Sequence, residues 1–372
     1  MAISIQPYRE EHVPAMKEFN SRLREGGAAE EYSFPESAVL PWLPASGDSS
    51  IYNNAYVALD GSTVRGAFEI KHQPFSLRGD VCSLGYYHHP LSEGIVNRAW
   101  TQVGLQMMMA ALRTQPLLYA LGMGGYERPL PRMLMAMKWS HMLVPFRFKV
   151  HHPARFLRQI QRLRTSTSRR WVANLAAASG TGWLAIEGMQ WRGRTRATRG
   201  LSFAIVEQLP GWADELWNAC RNLYGLIAVR DLKSLAVLYP RANRRILRVE
   251  VTRGSMPIGW AVVADVQKNA HPEYGDMRVG YILDGLAHPE NAGAVIAAAT
   301  SVLEERGVDM IQSNQSHSAW VSALDQAGFL KRPSNFIFAA APKLASKLEP
   351  FEATVAASHF NRSDGDGLYQ YV

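Results

Sequence analysis

The sequence predicts a mixed α/β protein, a twisted mixed β-sheet flanked by helices and present twice in tandem. Three observations carry this. The order strand, glycine turn, helix, strand, helix occurs in both halves. Gly85-Tyr86-Tyr87, Gly94, the apolar run Gln115 to Leu121 and the ending Met137-Lys138-Trp139 are answered by Gly280-Tyr281-Ile282, Gly293, Asp309 to Gln312 and Ala327-Gly328-Phe329. Each half also carries a turn signal between two strand-like runs, Asp60-Gly61 and Arg253-Gly254. Finally, 372 residues at 47% hydrophobic and 19% charged suit about two globular domains, each with its own core.

In the first half, Ser4 to Tyr8 reads as a strand. His12 to Arg24 reads as a helix, because Val13, Met16, Phe19, Asn20 and Leu23 recur at mostly three- and four-residue steps, and Gly26-Gly27 ends it. Residues 33–54, with their prolines and serines, read as loop with short helical pieces. Ala55 to Ala58 and Gly66 to Ile70 flank the first hairpin turn, and Val81 to His88 is a further strand. Asn97 to Leu112 is a helix lined by Val103, Met107, Met108 and Leu112. Leu117 to Leu121 is a buried strand, Pro131 to Met137 a helix, and Val144 to Val150 a returning strand.

The second half repeats the order. Ser202 to Glu207 is a strand, Trp212 to Leu223 a helix opened by Pro210-Gly211, and Asp231 to Leu238 a short helix that Pro240 ends. Ile246 to Thr252 and Ile258 to Val266 form the second hairpin. Met277 to Leu283, Met310 to Ser313 and Phe336 to Ala340 are strands, with helices from Gly293 to Glu305 and Ala319 to Gln326. The expected boundaries are a first domain at 1–150, a basic connection at 151–199, a second domain at 200–342 and a tail at 343–372. This order implies a mixed sheet with helices on both faces.

The formal net charge of +8 is concentrated. Between Arg147 and Arg199 twelve Lys/Arg face one acid, Glu187, so that stretch carries +11 and the rest of the chain −3. Such a field attracts anionic partners. Two cysteines in different halves, Cys82 and Cys220, offer neither a disulfide framework nor a metal cluster. His88-His89 and His151-His152 have no Cys or acid at ligand spacing, so no metal is expected. No long uncharged apolar run predicts a membrane span, and Met1 to Pro7 has no signal-peptide pattern. The expected location is cytoplasmic.

The element order, with Ala327-Gly328-Phe329 ending a helix and Met137-Lys138-Trp139 echoing it, resembles the GNAT acyltransferases, in tandem over roughly 3–150 and 200–342. Pro129-Leu130-Pro131-Arg132-Met133-Leu134 and Pro145-Phe146-Arg147-Phe148 are similar to tandem acyltransferases associated with bacterial exopolysaccharide and capsule synthesis. The resemblance implies an acyl-CoA co-substrate, acetyl-CoA foremost, whose pyrophosphate lies on a glycine-bearing loop at a helix N-terminus. The family loop, Arg/Gln-x-x-Gly-x-Gly/Ala, keeps only its central glycine in Gly94-Ile95-Val96 and again at Gly293. Gly122-Met123-Gly124-Gly125 would let a pantetheine arm approach the strands. Acyl transfer needs a base near the acceptor and a proton donor for the thiolate. Glu69 and Asp284 are the candidate bases; His317 and Tyr126 stand near where the family keeps its thiolate acid.

Residues 155–170 place Phe156, Leu157, Ile160 and Leu163 beside arginines, an amphipathic basic helix suited to an anionic membrane surface and a lipid-linked sugar acceptor. Trp171, Trp183 and Trp191 among arginines also suit nucleic acid. The resemblance therefore implies an acetyltransferase acting on a sugar precursor. The alternatives are a doubled-fold transferase taking aminoacyl groups from tRNA, or a non-catalytic scaffold. The tail Asn361-Arg362-Ser363-Asp364-Gly365-Asp366-Gly367-Leu368 looks like part of a calcium loop but lacks its closing glutamate, so no calcium site is read, and similar Asp-Gly-Asp tails close the exopolysaccharide-linked relatives.

Overall fold

The computed structural model describes residues 3–38, 43–44, 49–161, 171, 177, 181–191 and 200–365. In chain order the first elements are β1 Ser4–Pro7, α1 Val13–Glu25, β2 Tyr52–Asp60, β3 Thr63–Leu77, β4 Asp80–Ser92, α2 Val103–Thr114, β5 Leu118–Gly122, α3 Pro129–Ala136 and β6 Ser140–Leu143. The middle of the chain holds β7 Phe146–Val150, α4 Pro153–Gln159, α5 Thr181–Trp191, β8 Leu201–Val206, α6 Trp212–Cys220, β9 Leu226–Ala228 and α7 Leu232–Leu238. There follow β10 Ile246–Arg253, β11 Met256–Gln267, β12 Arg278–Ala287, α8 Ala292–Glu305, β13 Met310–Asn314, α9 Ser318–Gln326, β14 Leu330–Arg332, β15 Ile337–Ala340 and α10 Pro342–Lys347. Both hairpins turn at glycines with positive φ, Gly61 at 61° and Gly254 at 60°. Among the described residues no helix is long and apolar enough to cross a membrane.

Two mixed sheets of the same plan result. The first has the order β1-β2-β3-β4-β5-β15-β6 and the second β14-β7-β13-β12-β11-β10-β8. Each runs through an antiparallel meander to one parallel pair, β4 with β5 and β12 with β13. The duplicated mixed α/β fold expected from the sequence is the fold found.

One feature differs from the expected boundaries at 150 and 200. The compact units are Met1–Ser76 with Asp80–Leu143 and Ile337–Thr354, and Leu77–Gly79 with Val144–Phe336 and Val355–Val372. Each half thus gives its last strand to the other sheet: β15 lies between β5 and β6, and β7 between β13 and β14. Val144-Pro145 explains the first exchange. A two-residue reversal needs positive φ, whereas proline holds φ near −65°, lacks an N–H and keeps Val144 extended. β6 and β7 therefore do not pair with one another, β6 pairing β15 and β7 pairing β13 and β14.

The first sheet buries both faces. Phe68, Ile70, Tyr87, Leu118 and Ala339 pack with Val103, Met107, Leu134 and Trp139 on the α2–α3 side. Val57, Val64, Ala67 and Leu91 pack with Met16, Phe19, Leu23 and Phe34 on the α1 side. Each large apolar side chain so buried stabilises by about 1.5–3 kcal/mol. In the second unit, Trp260 and Trp320 are fully buried.

The amphipathic helix expected over 155–170 is described only to residue 161, and the remainder lies outside the described residues. In that described part Phe156 and Ile160 are buried, and Phe156 stacks on Phe148 of β7, so its apolar side faces inward. The acidic tail beyond Gly365 is likewise outside the described residues.

Candidate functional site

In both sheets the parallel strands part. β4 meets β5 only at Gly85↔Leu118 and Tyr86↔Tyr119, then runs on to Ser92. β12 meets β13 from Val279↔Met310 to Ile282↔Ser313, then runs on to Ala287. Backbone groups released by such parting need other partners, so each gap is a natural place for a ligand or a peptide segment.

At the first gap, β3 presents Glu69 on the α1 side, only 2% exposed. Its carboxylate accepts from Asn53 Nδ2 at 2.5 Å and lies 3.3 Å from His88 Nε2 and 3.6 Å from His89 Nδ1. Simple alternation would send His88 and His89 to opposite faces. His88 lies on the face of Glu69, and His89, with φ 52°, is turned by its left-handed backbone so that its ring reaches Glu69 as well. Phe34 stacks on His89 at 5.1 Å, and Tyr86 on His88 at 5.0 Å. Burial pushes His88 down to about 4, so it is a neutral donor at pH 7. Burial alone would raise Glu69, but His88, His89 and Asn53 more than offset it and hold the carboxyl below its ordinary value. His89 is the member that reaches solvent, with 32% of its side chain exposed.

The second gap holds an acid in another setting. Asp284 follows a β-bulge, where the register steps from Val262↔Asp284 to Val263↔Ile282. It is fully buried and accepts from Arg230 Nε (3.0 Å), Tyr239 Oη (2.6 Å), Asn361 Nδ2 (2.5 Å) and the Gly285 N–H (2.8 Å). Arg230 also reaches Asp364 at 2.8 Å. Burial would lower Arg230, yet Asp284 and Asp364 raise it beyond its ordinary value. Tyr239 is driven well above its ordinary value by burial and by Asp284.

Residues 358–364 fill this second gap. The Ser316 N–H donates to Phe360 O at 3.0 Å and the Phe360 N–H to Ser316 Oγ at 2.7 Å, on the β13 side. His359 Nε2 meets Gly285 O at 2.8 Å, and Asn361 meets Asp284, on the β12 side. His359, Phe360 and Asn361 are fully buried.

The sequence-predicted residues fall as follows. Glu69 is at the first gap and Asp284 at the second. Gly94 does not open a helix: it lies in the turn Glu93–Ile95, and α2 begins at Val103. A Cβ there would lie 2.7 Å from Trp100 O, so close packing requires the glycine. Glu93 is buried and paired with Arg22 (3.2 Å) and Arg65 (3.0 Å), Ile95 is exposed, and Val96 packs against Gly26. At Gly94-Ile95-Val96, where the sequence suggested a phosphate loop, the turn is braced by the salt-bridged Glu93 carboxylate. Gly293 does sit in the first turn of α8, with open space where its Cβ would be. Gly122, Met123, Gly124 and Gly125 all have positive φ, 106°, 65°, 75° and 109°, turning the chain sharply as β5 ends. Tyr126 Oη bonds His141 Nδ1 at 3.1 Å. His317 caps α9 through the Ala319 N–H at 3.2 Å and meets the Tyr224 ring edge-on.

Sequence reasoning missed Asn53, Arg230, Tyr239 and His359, and placed Asn361 only in a calcium-loop-like tail. No motif marks them; only the fold brings them to the acids. It also missed Tyr87 and Trp139, whose hydroxyl and indole N–H are buried in the α2–α3 core with no hydrogen-bond partner among the described residues.

No family model matches the sequence, and no curated protein matches it. Among solved structures, N-myristoyltransferase of Saccharomyces cerevisiae with bound myristoyl-CoA and inhibitors is similar at TM-score 0.53 and 10% identity, over 91% of this chain and 79% of that one. A tandem GNAT protein from the clavulanic acid pathway has TM-score 0.48 and 12% identity, over 91% and 99%. A GCN5-related N-acetyltransferase from Anabaena variabilis has TM-score 0.49 and 10% identity, over 91% and 73%. The chain shares the doubled fold of the myristoyltransferase.

Proposed function

We propose that this protein is an acyl-CoA-dependent acyltransferase with its chemistry at the first gap. The observation that carries the reading is the Glu69–His89 pair beside the parting of β4 and β5, in a chain with the doubled fold of a myristoyl-CoA enzyme. Glu69 is too buried to meet an acceptor directly, so it acts as a positioning residue. It orients His89, whose exposed edge takes the proton as an amine or hydroxyl attacks the thioester carbonyl. The acyl group passes to the acceptor, and the thiolate leaves with the co-substrate. On the other face, the Tyr87 hydroxyl and Trp139 N–H have no partner among the described residues; as buried as Glu69, they would donate to the carbonyls of an amide-bearing arm only where that arm enters between the parted strands. The Glu93 loop offers no phosphate cradle, and Gly122 to Gly125 is the stretch that allows close backbone approach.

The acyl group is acetyl and the acceptor a sugar precursor on this reading, in line with the exopolysaccharide-linked resemblance of the sequence. Calorimetric titration with acetyl-CoA tests it first. Micromolar binding that weakens in Tyr87→Phe is the expected result. Binding untouched by Tyr87→Phe but lost in Gly293→Glu moves the chemistry to the second unit, and no binding to any acyl-CoA overturns the reading.

A further inference from the structure

Helix α5 exposes an apolar stripe that no described residue covers. Ile186 and Gln190 are its buried side. Gln190 is 1% exposed and clamps Val150 of β7 twice, accepting its N–H at 2.7 Å and donating to its carbonyl at 3.0 Å. This bidentate clamp sets the rotation of the helix about its axis. Leu184, Gly188 and Trp191, at i, i+4 and i+7, then face outward with Ala185 and Met189 beside them. Leu184 is 63% exposed, Met189 51% and Trp191 73%. None of these outward residues is charged.

A contiguous exposed stripe of leucine, methionine and tryptophan marks an interaction surface. The sequence on either side of it selects the partner. Arg162, Arg164, Arg169 and Arg170 precede the helix and Arg192, Arg194, Arg196 and Arg199 follow it, with Glu187 the only acid among them, whereas Arg147, Lys149 and Arg155 are already paired with Asp325, Glu304 and Asp309. A protein partner with an ordinary mixed surface matches such a field poorly. An anionic bilayer matches both features, since its headgroups attract the arginines and its interface accepts tryptophan and leucine. We infer that α5 is an interfacial element that seats the protein on an anionic membrane surface. It is a different segment from the membrane contact expected at 155–170, where Phe156 and Ile160 face inward and residues 162–170 lie outside the described residues. It is independent of the acyltransferase reading.

The full-length protein is mixed with phosphatidylcholine vesicles, with or without phosphatidylglycerol, and sedimented at low and high salt. The expected result is pelleting with the anionic vesicles that falls as salt rises. The Leu184→Ser/Trp191→Ser double variant should bind roughly tenfold or more weakly, having lost two apolar anchors. Its circular dichroism and melting point should match the parent, because both side chains are exposed. Absence of pelleting with anionic vesicles overturns the inference, as does pelleting the variant does not change. A parent that elutes as a dimer, becomes monomeric in the variant and ignores vesicles also overturns it, assigning the stripe to a second copy of the chain.

Discussion

The two gaps differ in what holds the buried acid, although the strands around them follow one plan. Glu69 is held by Asn53 and two histidines, His88 buried and neutral and His89 reaching solvent. Asp284 is held by Arg230, a cation that does not deprotonate in this range, and its remaining lone pairs are taken by Tyr239, Asn361 and Gly285. The first acid can steer a proton; the second is a fixed counter-ion. The strands of the second gap are bridged by residues 358–364, so the same opening serves as a seat for the chain itself. A duplicated sheet preserves backbone geometry, while the partner of one carboxylate decides between chemistry and architecture.

Crossed substitutions would break that comparison most decisively. His89→Ala should lower turnover about 10²–10⁴-fold, the usual worth of a general base, with little change in melting point. Glu69→Gln should lower turnover too and shift the pH–rate profile, as a positioning residue does. Asp284→Asn should do the reverse: turnover of the folded fraction stays within a few-fold, and stability in urea falls by about 3–5 kcal/mol, because Arg230 is left buried with one acid fewer. Similar turnover losses for His89→Ala and Asp284→Asn would erase the distinction.

The pH dependence of stability comes next in size. His88 and His72 are both pushed down to about 4 by burial, from an ordinary value of 6.5. The folded state keeps them neutral, while the unfolded chain takes up protons below 6.5. Their contribution is therefore complete above pH 6.5 and lost as pH falls toward 4. For His88 this reaches about 3 kcal/mol, at about 1.4 kcal/mol per pH unit. Urea midpoints between pH 7 and 4 should fall steeply, and less so in His88→Gln. An unchanged slope in that variant would mean that the cluster is not neutral as described.

The smallest contrast is between the two loop glycines. Gly94→Ala puts a methyl against the Trp100 carbonyl and should cost about 1–3 kcal/mol. Gly293→Ala enters open space in the first turn of α8 and should stabilise by about 0.5–1 kcal/mol. Thermal melts of the pair measure it; equal shifts would contradict the packing around Gly94.

Much of the plan was legible along the chain. Asp60-Gly61 and Arg253-Gly254 placed both hairpins, because glycine is the residue that turns cheaply through positive φ. The apolar steps of Met16, Phe19 and Leu23 placed α1, and the twin motifs announced the repeat. Glu69 was a candidate because it sits on a core strand, where a carboxylate needs a reason to be. Its histidine partners could not be read in the same way. His89 reaches Glu69 only through a left-handed backbone that the alternation of a strand does not foretell.

Local order determined the elements, the duplication and the concentration of positive charge, since periodicity, turn chemistry and composition act over a few residues at a time. Only the tertiary structure decided that the last strands exchange sheets, that Arg230 and Asp364 meet across 134 residues of sequence, and that α5 turns its apolar stripe outward. Those outcomes depend on which distant groups satisfy one another's hydrogen bonds and charges once buried. That is a property of the packed chain and not of any stretch within it.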